Sequence, residues 1–257
     1  MGAADQATPL GGVVTGDQGE PRIHPSIVTP VTLVDNTLYA PAVHSGPRTE
    51  EEALAEQRAL RSRVVSAPGP ASPATVAGLD VAYDGDRLAA AVVVLRYPDL
   101  SVQDTAVVRG TTAFPYIPGL FAFREVPSLL DALDRLTVRP DVLVCDGQGL
   151  AHPRRFGLAA HLGVLTDLPS FGVGKTRLVG EFAPVGERRG DRSALIDAGE
   201  EVGAVLRTRD GVKPLFVSVG HRIDLDNACA LTLALTPRYR LPETTRAADR
   251  ACRDFLR

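Results

Sequence analysis

The stretch Thr75-Val-Ala-Gly-Leu-Asp-Val-Ala-Tyr83 is an apolar run with a single carboxylate, Asp80, near its middle. Its length and apolar character predict a strand. Two further strands are predicted over residues 87–97 and 101–109, and the links between the three are short enough for hairpins. The core of the chain therefore begins with a meander of three strands.

Helical and strand patterns alternate after this meander. Pro127 can open a helix, because proline is favoured in a first helical turn. The other predicted elements are helices over 49–65, 155–166, 225–235 and 243–256 and strands over 141–145, 170–174, 203–208 and 214–219. This order predicts an α/β fold with a mixed central sheet and helices on both faces. It resembles the ribonuclease H-like architecture, although periodicity alone does not separate that architecture from other α/β folds.

The first 48 residues differ in composition from the rest of the chain. They are rich in Gly, Pro, Thr and Val without a clear period, and they predict an N-terminal extension that is disordered or loosely packed. Residues 49–257 are predicted to form a single domain. A proline-rich linker over 67–73 separates the first helix from the first strand.

Composition and charge favour a soluble cytoplasmic protein. The chain is 44% hydrophobic and 23% charged, and no apolar run is long enough for a membrane span. Three widely spaced cysteines predict reduced thiols. Residues 1–57 carry two basic against eight acidic side chains, so the remainder has a net charge of +3. Arginine clusters within 154–189 and 238–257 could contact phosphates, but a solvated surface is the simpler explanation for the second cluster.

Three carboxylates are candidates for a metal site. Asp80 lies inside an apolar strand, where an unpaired charge is costly, and Asp146 ends the buried run Val142–Cys145. Glu125 follows an aromatic and proline-rich loop, and helix capping would also explain it. For any one of these residues a structural role is the simpler explanation. Oxygen ligands from three separate elements, however, suit Mg²⁺, for which Mn²⁺ can substitute.

Other polar residues could complete this chemistry. His152 and His221 are candidates as outer ligands or proton carriers, and Lys175 as a ligand of the scissile phosphate. Asp226 could supply a fourth carboxylate, although helix capping by Asp224 and Asp226 is the simpler explanation. A phosphate-binding loop ending at Lys175 is excluded, because Pro169 stands where that pattern requires glycine.

The stretch Phe114-Pro-Tyr-Ile-Pro-Gly-Leu120 predicts a rigid apolar tip. Pro115 and Pro118 restrict the backbone on both sides of Tyr116 and Ile117. A stiff apolar tip can enter between stacked bases and separate them. We therefore expect this loop to contact nucleic acid.

Together these segments resemble the endonuclease V family, which cuts nucleic acid near inosine. The matching stretches are Gly78–Tyr83, Phe114–Leu120 with Phe123–Glu125, Asp146–Gly149 with His152–Arg154, Gly172–Lys175 and Val217–Arg222. The resemblance implies that Asp80, Glu125 and Asp146 bind metal, that Lys175 lies near the scissile phosphate, and that His221 is a further catalytic residue. It also implies that the Tyr116 loop separates the strands, and that the second phosphodiester bond 3′ to the lesion is cut.

The predicted partner is inosine-containing DNA or RNA, bound by a monomer. Because hypoxanthine differs from adenine in its O6 and N1–H groups, the backbone of the glycine-rich loops could recognise it. The predicted substrate-binding residues are Pro115, Tyr116, Ile117, Pro118, Gly147, Gly149, His152, Gly172 and Gly174. Two alternatives remain: a protein of the same fold that binds a lesion or branch without cutting, and a different ribonuclease H-like nuclease.

Overall fold

The computed structural model describes residues 46–112 and 114–257. The predicted extension over 1–48 lies outside this part of the chain apart from its last three residues. None of the helices in the described residues combines the length and the apolar character that a membrane-spanning segment needs. All three cysteines are buried and unpaired, as their spacing predicts.

Within the described residues, one mixed sheet of eight strands runs in the order β3-β2-β1-β4-β5-β8-β7-β6. Strands β1, β4 and β5 are parallel to one another, whereas β2 and β8 are antiparallel to their inner neighbours. The strands are β1 Thr75–Asp84, β2 Arg87–Arg96, β3 Val102–Thr111, β4 Val142–Cys145, β5 Ser170–Gly174, β6 Arg192–Asp197, β7 Glu200–Leu206 and β8 Leu215–His221.

Helices cover both faces of the sheet, as the sequence predicts. The helices are α1 Glu50–Arg61, α2 Ala122–Asp134, α3 Leu158–Thr166, α4 Leu225–Ala234 and α5 Glu243–Leu256. Apolar residues of α2 and α3 share one core with β1, β2 and β4, while α4 and α5 share the core on the other face. Because both faces are covered, β4 is buried at all four positions.

Helix α1 begins where the sequence predicts. The side-chain oxygen of Thr49 accepts a hydrogen bond from the Glu52 backbone N–H, and the Glu52 carboxylate accepts one from the Thr49 backbone N–H. Leu60 of α1 packs with Phe156 and Ala160, so α1 lies against α3 outside the sheet layers.

Several predicted boundaries are wrong, and α1 ends at Arg61 where the sequence predicts 65. Helix α2 begins at Ala122, so Pro127 is its sixth residue and Glu125 lies in its first turn. Burial of Ala122, Phe123 and Val126 outweighs the single hydrogen bond lost at Pro127. Helix α3 begins at Leu158, three residues later than predicted.

The edge strand β6 escapes prediction altogether, and β7 begins at Glu200 where the sequence predicts 203. Of the six residues of β6 only Leu195 is buried, so the strand has no clear apolar alternation. The turn between β6 and β7 is made by Ala198 and Gly199, both with positive φ, as in a two-residue hairpin.

Strand register brings two of the candidate carboxylates together. Leu79 of β1 lies opposite Cys145 of β4, so the residues that follow them, Asp80 and Asp146, occupy neighbouring positions. Helix α5 crosses β1 at Gly78, where an added Cβ would lie 2.1 Å from the Thr244 carbonyl oxygen. This close approach seats α5 directly over the strand that carries Asp80.

Candidate active site

Asp80, Asp146 and Glu125 form one electrostatic cluster. Burial, together with the negative charges of Asp146 and Asp249, raises the pKa of Asp80 to about 7. Burial and the charge of Asp80 raise the pKa of Glu125 to about 8, and Asp146 contributes in the same direction. Residues from β1, α2 and the end of β4 therefore meet at one end of the parallel strands, as the sequence predicts.

Glu125 reaches this cluster from α2. Its side chain is 5% exposed, and one of its oxygens accepts a hydrogen bond from the Tyr83 hydroxyl at 3.2 Å. The guanidinium of Arg124 lies 5.4 Å from the centre of the Tyr83 ring. Because Glu125 is buried in the first turn of α2, its position is set by the packing of that helix and not by a capping role.

Asp249 is a fourth carboxylate at this site, and the sequence analysis missed it. It lies on α5, and its charge raises the pKa values of both Asp80 and Lys175. Three residues later, the Cys252 thiol donates to the Asp80 carbonyl oxygen at 3.2 Å. The only sequence signal is the position of Asp249 beside Ala248 and Cys252, which belong to the buried face of α5.

Lys175 follows β5 and forms an ion pair with Asp146. Asp146 is 13% exposed and Lys175 is 46% exposed, so the pair opens to solvent on the lysine side. Burial acts to lower the pKa of Lys175, but the hydrogen bond and charge of Asp146 outweigh it and the pKa is raised. The ammonium group therefore stays protonated at neutral pH.

The donor set fits a divalent cation such as Mg²⁺ or Mn²⁺. Its candidate ligands are carboxylate oxygens, and the raised pKa values of Asp80 and Glu125 show that the cluster lacks positive charge. Across 46–112 and 114–257, no three His, Cys, Asp or Glu side chains are already arranged as metal ligands. The ammonium group of Lys175 contacts one oxygen of Asp146.

A cavity of about 300 Å³ opens beside Asp146. Its walls are mainly apolar, and its polar groups belong to the loops after β4. The lining residues are Tyr116, Pro118, Gly119, Phe121, Ala122, Asp146, Gly147, Gln148, His152, Gly157, Leu158 and Leu178. Tyr116 is 69% exposed at the rim, with its ring edge-on to Phe121 at 5.9 Å. An apolar slot with a few polar groups suits a flat aromatic base.

The Tyr116 loop is fixed to the rest of the fold through the carbonyl group of Gly119. The Gly119 oxygen accepts hydrogen bonds from Gln57 at 3.0 Å, His152 at 3.0 Å and Arg154 at 2.6 Å. Burial and the charge of Arg154 lower the pKa of His152 to about 4, so the imidazole is neutral at pH 7. Its Nδ1 accepts from the Arg154 backbone, and therefore Nε2 carries the proton. His152 positions the loop and lines the cavity.

The endonuclease V family model matches residues 58–250, which include all four carboxylates and Lys175. The chain belongs to the endonuclease V family. It is 58% identical to endonuclease V of Nocardia farcinica over 214 residues, covering 82% of this chain and 94% of the relative. The crystal structure of endonuclease V from Streptomyces avermitilis is 56% identical, with a TM-score of 0.79 over 82% of this chain and 94% of that one.

These comparisons settle the fold and the enzyme class. The structure has the ribonuclease H-like α/β fold of endonuclease V, and the protein is a nuclease, a hydrolase of nucleic acid. The prediction that it only binds without cutting is therefore not supported. A further relative, Ciona intestinalis endonuclease V, was crystallised with a 24mer DNA containing inosine; it is 26% identical, with a TM-score of 0.71 over 80% of this chain and 97% of that one.

His221 does not join the carboxylates of this endonuclease V fold. It pairs with Ser170 at the start of β5, whereas Lys175 follows the end of that strand, five residues or about 17 Å further along. Its Nδ1 accepts from the Val65 backbone at 3.2 Å, and its Nε2 lies 3.2 Å from Asp167. The structure does not bring His221 to the carboxylates, because β8 is antiparallel to β5 and His221 lies at the opposite end of the strands.

Asp226 also lies away from the cluster. It forms an ion pair with Arg192 at 2.6 Å on the edge strand β6, and its side chain is 79% exposed. Asp224 caps α4 by accepting from the Asn227 backbone N–H at 2.7 Å. Asp224 is therefore a helix cap. The fourth carboxylate of the cluster is Asp249 and not Asp226.

Two parts of the substrate-binding prediction need correction. Ile117 does not project beside Tyr116 but packs against the cluster that contains Ala53 and Phe114. Gly149, Gly172 and Gly174 do not line the cavity in the described residues. An added Cβ would lie 2.0 Å from the Val219 oxygen at Gly149 and 2.4 Å from the Gly147 oxygen at Gly172. These glycines allow backbones to pack closely, and Gly147 alone of the four lines the cavity.

Gln148 ties the loop after β4 to the loop after β5. Its amide nitrogen donates to the Thr176 carbonyl at 3.1 Å, and its amide oxygen accepts from the Ser218 hydroxyl at 3.3 Å. A Cβ at Gly174 would lie 2.1 Å from the same amide nitrogen. The Gln148 side chain therefore occupies the space left by Gly174 and holds the segment that carries Lys175.

Proposed function

We propose that this protein is a Mg²⁺-dependent endonuclease that recognises inosine in nucleic acid. It hydrolyses the second phosphodiester bond 3′ to the lesion and leaves a 3′-hydroxyl and a 5′-phosphate. The observation that carries this proposal is a cluster of carboxylates with raised pKa values directly beside an apolar cavity under Tyr116. The inosine-containing DNA in the complex of the Ciona relative supports the choice of lesion.

The carboxylates of Asp80, Glu125, Asp146 and Asp249 would hold the divalent cation. When bound, Mg²⁺ supplies activation of water and stabilisation of the leaving oxygen, and Mn²⁺ can substitute for it. The protein supplies the rigid frame, because two of these acids follow neighbouring strand positions and a third is fixed by α2. Glu125 is further oriented by the Tyr83 hydroxyl.

Lys175 is suited to the scissile phosphate. It is protonated, it is 46% exposed, and it already contacts Asp146. A phosphate that enters the site can share this ammonium group, which then stabilises charge that develops on the phosphoryl oxygens. Gln148 keeps the Lys175 segment in register with Asp146 through Thr176.

The cavity beside Asp146 would receive the extruded base. Tyr116 stands exposed at its rim on a loop that three donors fix through Gly119, so the ring can enter the stack without a large ordering cost. Extrusion costs least at a weakened pair, which favours inosine over a matched adenine. The backbone at Gly147 lies in the cavity wall, where it can contact the edge of the base.

The test is cleavage of duplexes that carry one deoxyinosine, beside adenine-matched duplexes and an inosine-containing RNA. We expect Mg²⁺-dependent cutting at the second bond 3′ to the inosine, with adenine duplexes intact. Asp80→Ala should abolish cutting while the protein remains folded by circular dichroism. Wild-type turnover by Asp80→Ala, or equal cutting of adenine controls, would refute the proposal. The RNA arm decides which nucleic acid is the better substrate.

A further inference from the structure

A second groove, of about 570 Å³, begins at the carboxylate cluster and follows α5 to the end of the chain. Its inner end is formed by Lys175 and Asp249, which belong to the candidate active site. Its outer part is formed by four arginines. The lining residues are Lys175, Leu241, Thr245, Arg246, Asp249, Arg250, Arg253, Asp254 and Arg257.

The arginines share one face of α5. Arg246, Arg250, Arg253 and Arg257 are spaced by four, three and four residues, which is the helical repeat. They extend over eleven residues, or about 16 Å along the helix axis. This row is part of the second arginine cluster of the sequence, for which a solvated surface is the simpler explanation.

The four arginines are not equivalent. The Arg246 guanidinium stacks on the Tyr239 ring at 3.6 Å, so it is part of the packing. Arg253 and Arg257 are 64% and 79% exposed and pair only with acids of their own helix, Asp249 and Asp254. Within the described residues, Arg250 forms no ion pair. Ion pairs exposed to solvent are weak, so the guanidinium groups of the outer groove remain available to bind phosphate.

The two depressions lie on different sides of one ion pair. Asp146 lines the cavity under Tyr116, and its partner Lys175 lines the α5 groove. A strand whose base enters the cavity therefore crosses the cluster at Asp146 and Lys175 before it reaches α5. Under the proposed cleavage position, the cut bond lies 3′ to the base. The α5 groove is then the part of the surface that the strand meets after the cut bond.

We propose that this groove binds the phosphates of the substrate strand on the 3′ side of the cut bond, through Arg250, Arg253 and Arg257. The proposal rests on the proposed function, which sets the direction of the strand. Guanidinium groups match phosphate oxygens in geometry and charge. A single row of arginines along α5 can follow the phosphate backbone of one strand. The groove then holds the downstream product, which begins with the 5′-phosphate, while the base of the other product remains in the cavity.

The test uses the full chain with Arg250→Gln/Arg257→Gln, which leaves the Arg253 partner of Asp249 in place, in an Asp80→Ala background that keeps the substrate intact. Two duplexes carry one deoxyinosine each. One has a long arm 3′ and a short arm 5′ to the lesion, and the other has the reverse. Dissociation constants are measured by fluorescence anisotropy over a series of KCl concentrations with Mg²⁺. Arg135→Gln, an exposed arginine at the end of α2 that lines neither depression, is the matched control.

For the duplex with the long 3′ arm, the double variant should bind more weakly. The slope of log K against log[KCl] should fall by about 0.7–0.9 for each phosphate contact removed. The duplex with the long 5′ arm and the Arg135→Gln control should show no change. An unchanged slope, or an equal loss with both duplexes, would overturn the proposal. Wild-type cleavage of the same duplexes reports separately on the proposed function.

Discussion

At the scale of single residues, the fold keeps several carboxylates close together although their negative charges repel one another. Leu79 of β1 and Cys145 of β4 are paired in the parallel sheet, and Asp80 and Asp146 directly follow them. Neither carboxylate can therefore move away without disrupting the sheet. Burial and the charge of Asp146 both favour protonation of Asp80. A divalent cation offsets this cost, which is the physical reason to read the cluster as a metal site.

Gly174 offers a sharp test at this scale. Gly174→Ala would place its Cβ 2.1 Å from the Gln148 amide nitrogen, displace that side chain and release Thr176. We expect cleavage of the deoxyinosine duplex to fall about tenfold, which corresponds to about 1.4 kcal/mol in the barrier. Initial rates under saturating substrate measure the change.

Two variants serve as controls for this prediction. Gly46→Ala should have no effect, since nothing lies within 4 Å of the added Cβ. Gln148→Ala/Gly174→Ala removes the clash and should be more stable to heat than Gly174→Ala alone. Full activity in Gly174→Ala would show that the Gln148 contact does not control the position of Lys175.

At the scale of elements, the Tyr116 loop behaves as a preorganised tip. Three side chains from α1 and from the loop after β4 converge on the Gly119 carbonyl. Gly119 has a φ of +79°, and an added Cβ would lie 2.6 Å from the Arg154 guanidinium. The prolines restrict the loop locally, but its orientation over the cavity comes from these contacts across the fold.

Removing the aromatic ring should therefore weaken binding without unfolding the loop. We expect Tyr116→Ala to lose about 1–3 kcal/mol of affinity for a deoxyinosine duplex, the range found for base–aromatic stacking. Tyr116→Phe should retain most of it. The exposed Val102 on the edge strand β3 provides the control variant, Val102→Ala. Equal affinity of Tyr116→Ala and the wild type would exclude a stacking role.

The element boundaries show why prediction succeeded in some places and failed in others. β1, β5, α4 and α5 follow strong apolar patterns, and their predicted and observed ranges differ by one residue at most. Helix α2 was placed too late because local proline preference conflicted with the burial of Phe123 and Val126. Edge strand β6 lacked a pattern because it buries one side chain. Burial against other segments decided the start of α2, and backbone pairing with β7 decided β6; a short sequence window shows neither.

At the scale of the whole molecule, the carboxylate cluster should link stability to pH. The pKa of Asp80 is about 7 in the folded protein against 3.8 ordinarily, and that of Glu125 is about 8 against 4.5. Both groups hold a proton in the folded state that they release on unfolding between these values. Their contribution to stability is present at low pH and is lost as pH rises from about 4 to 8.

Thermal unfolding in EDTA measures this linkage. Between pH 5 and pH 8 the wild type should lose on the order of 7 kcal/mol through these two groups, because each loses about 1.4 kcal/mol per pH unit below its folded pKa. Asp80→Asn should lose less, and Mg²⁺ at pH 8 should restore the wild type more than the variant. A pH dependence that is identical in wild type and Asp80→Asn would show that Asp80 is not held in an unfavourable charged state.

The α/β class, the strand meander and three of the four carboxylates are predictable from the sequence, because they depend on local apolar periodicity and on charged residues beside it. It also identified the Tyr116 loop through its prolines. These features can be predicted because each depends on a few neighbouring residues.

Which polar residues meet depends on how distant segments pair and pack. Parallel register placed Asp146 beside Asp80, the close approach of α5 at Gly78 brought in Asp249, and the antiparallel direction of β8 carried His221 to the far end. Pairing direction and helix packing depend on contacts between segments about 50 to 170 residues apart. No pattern within one segment contains that information.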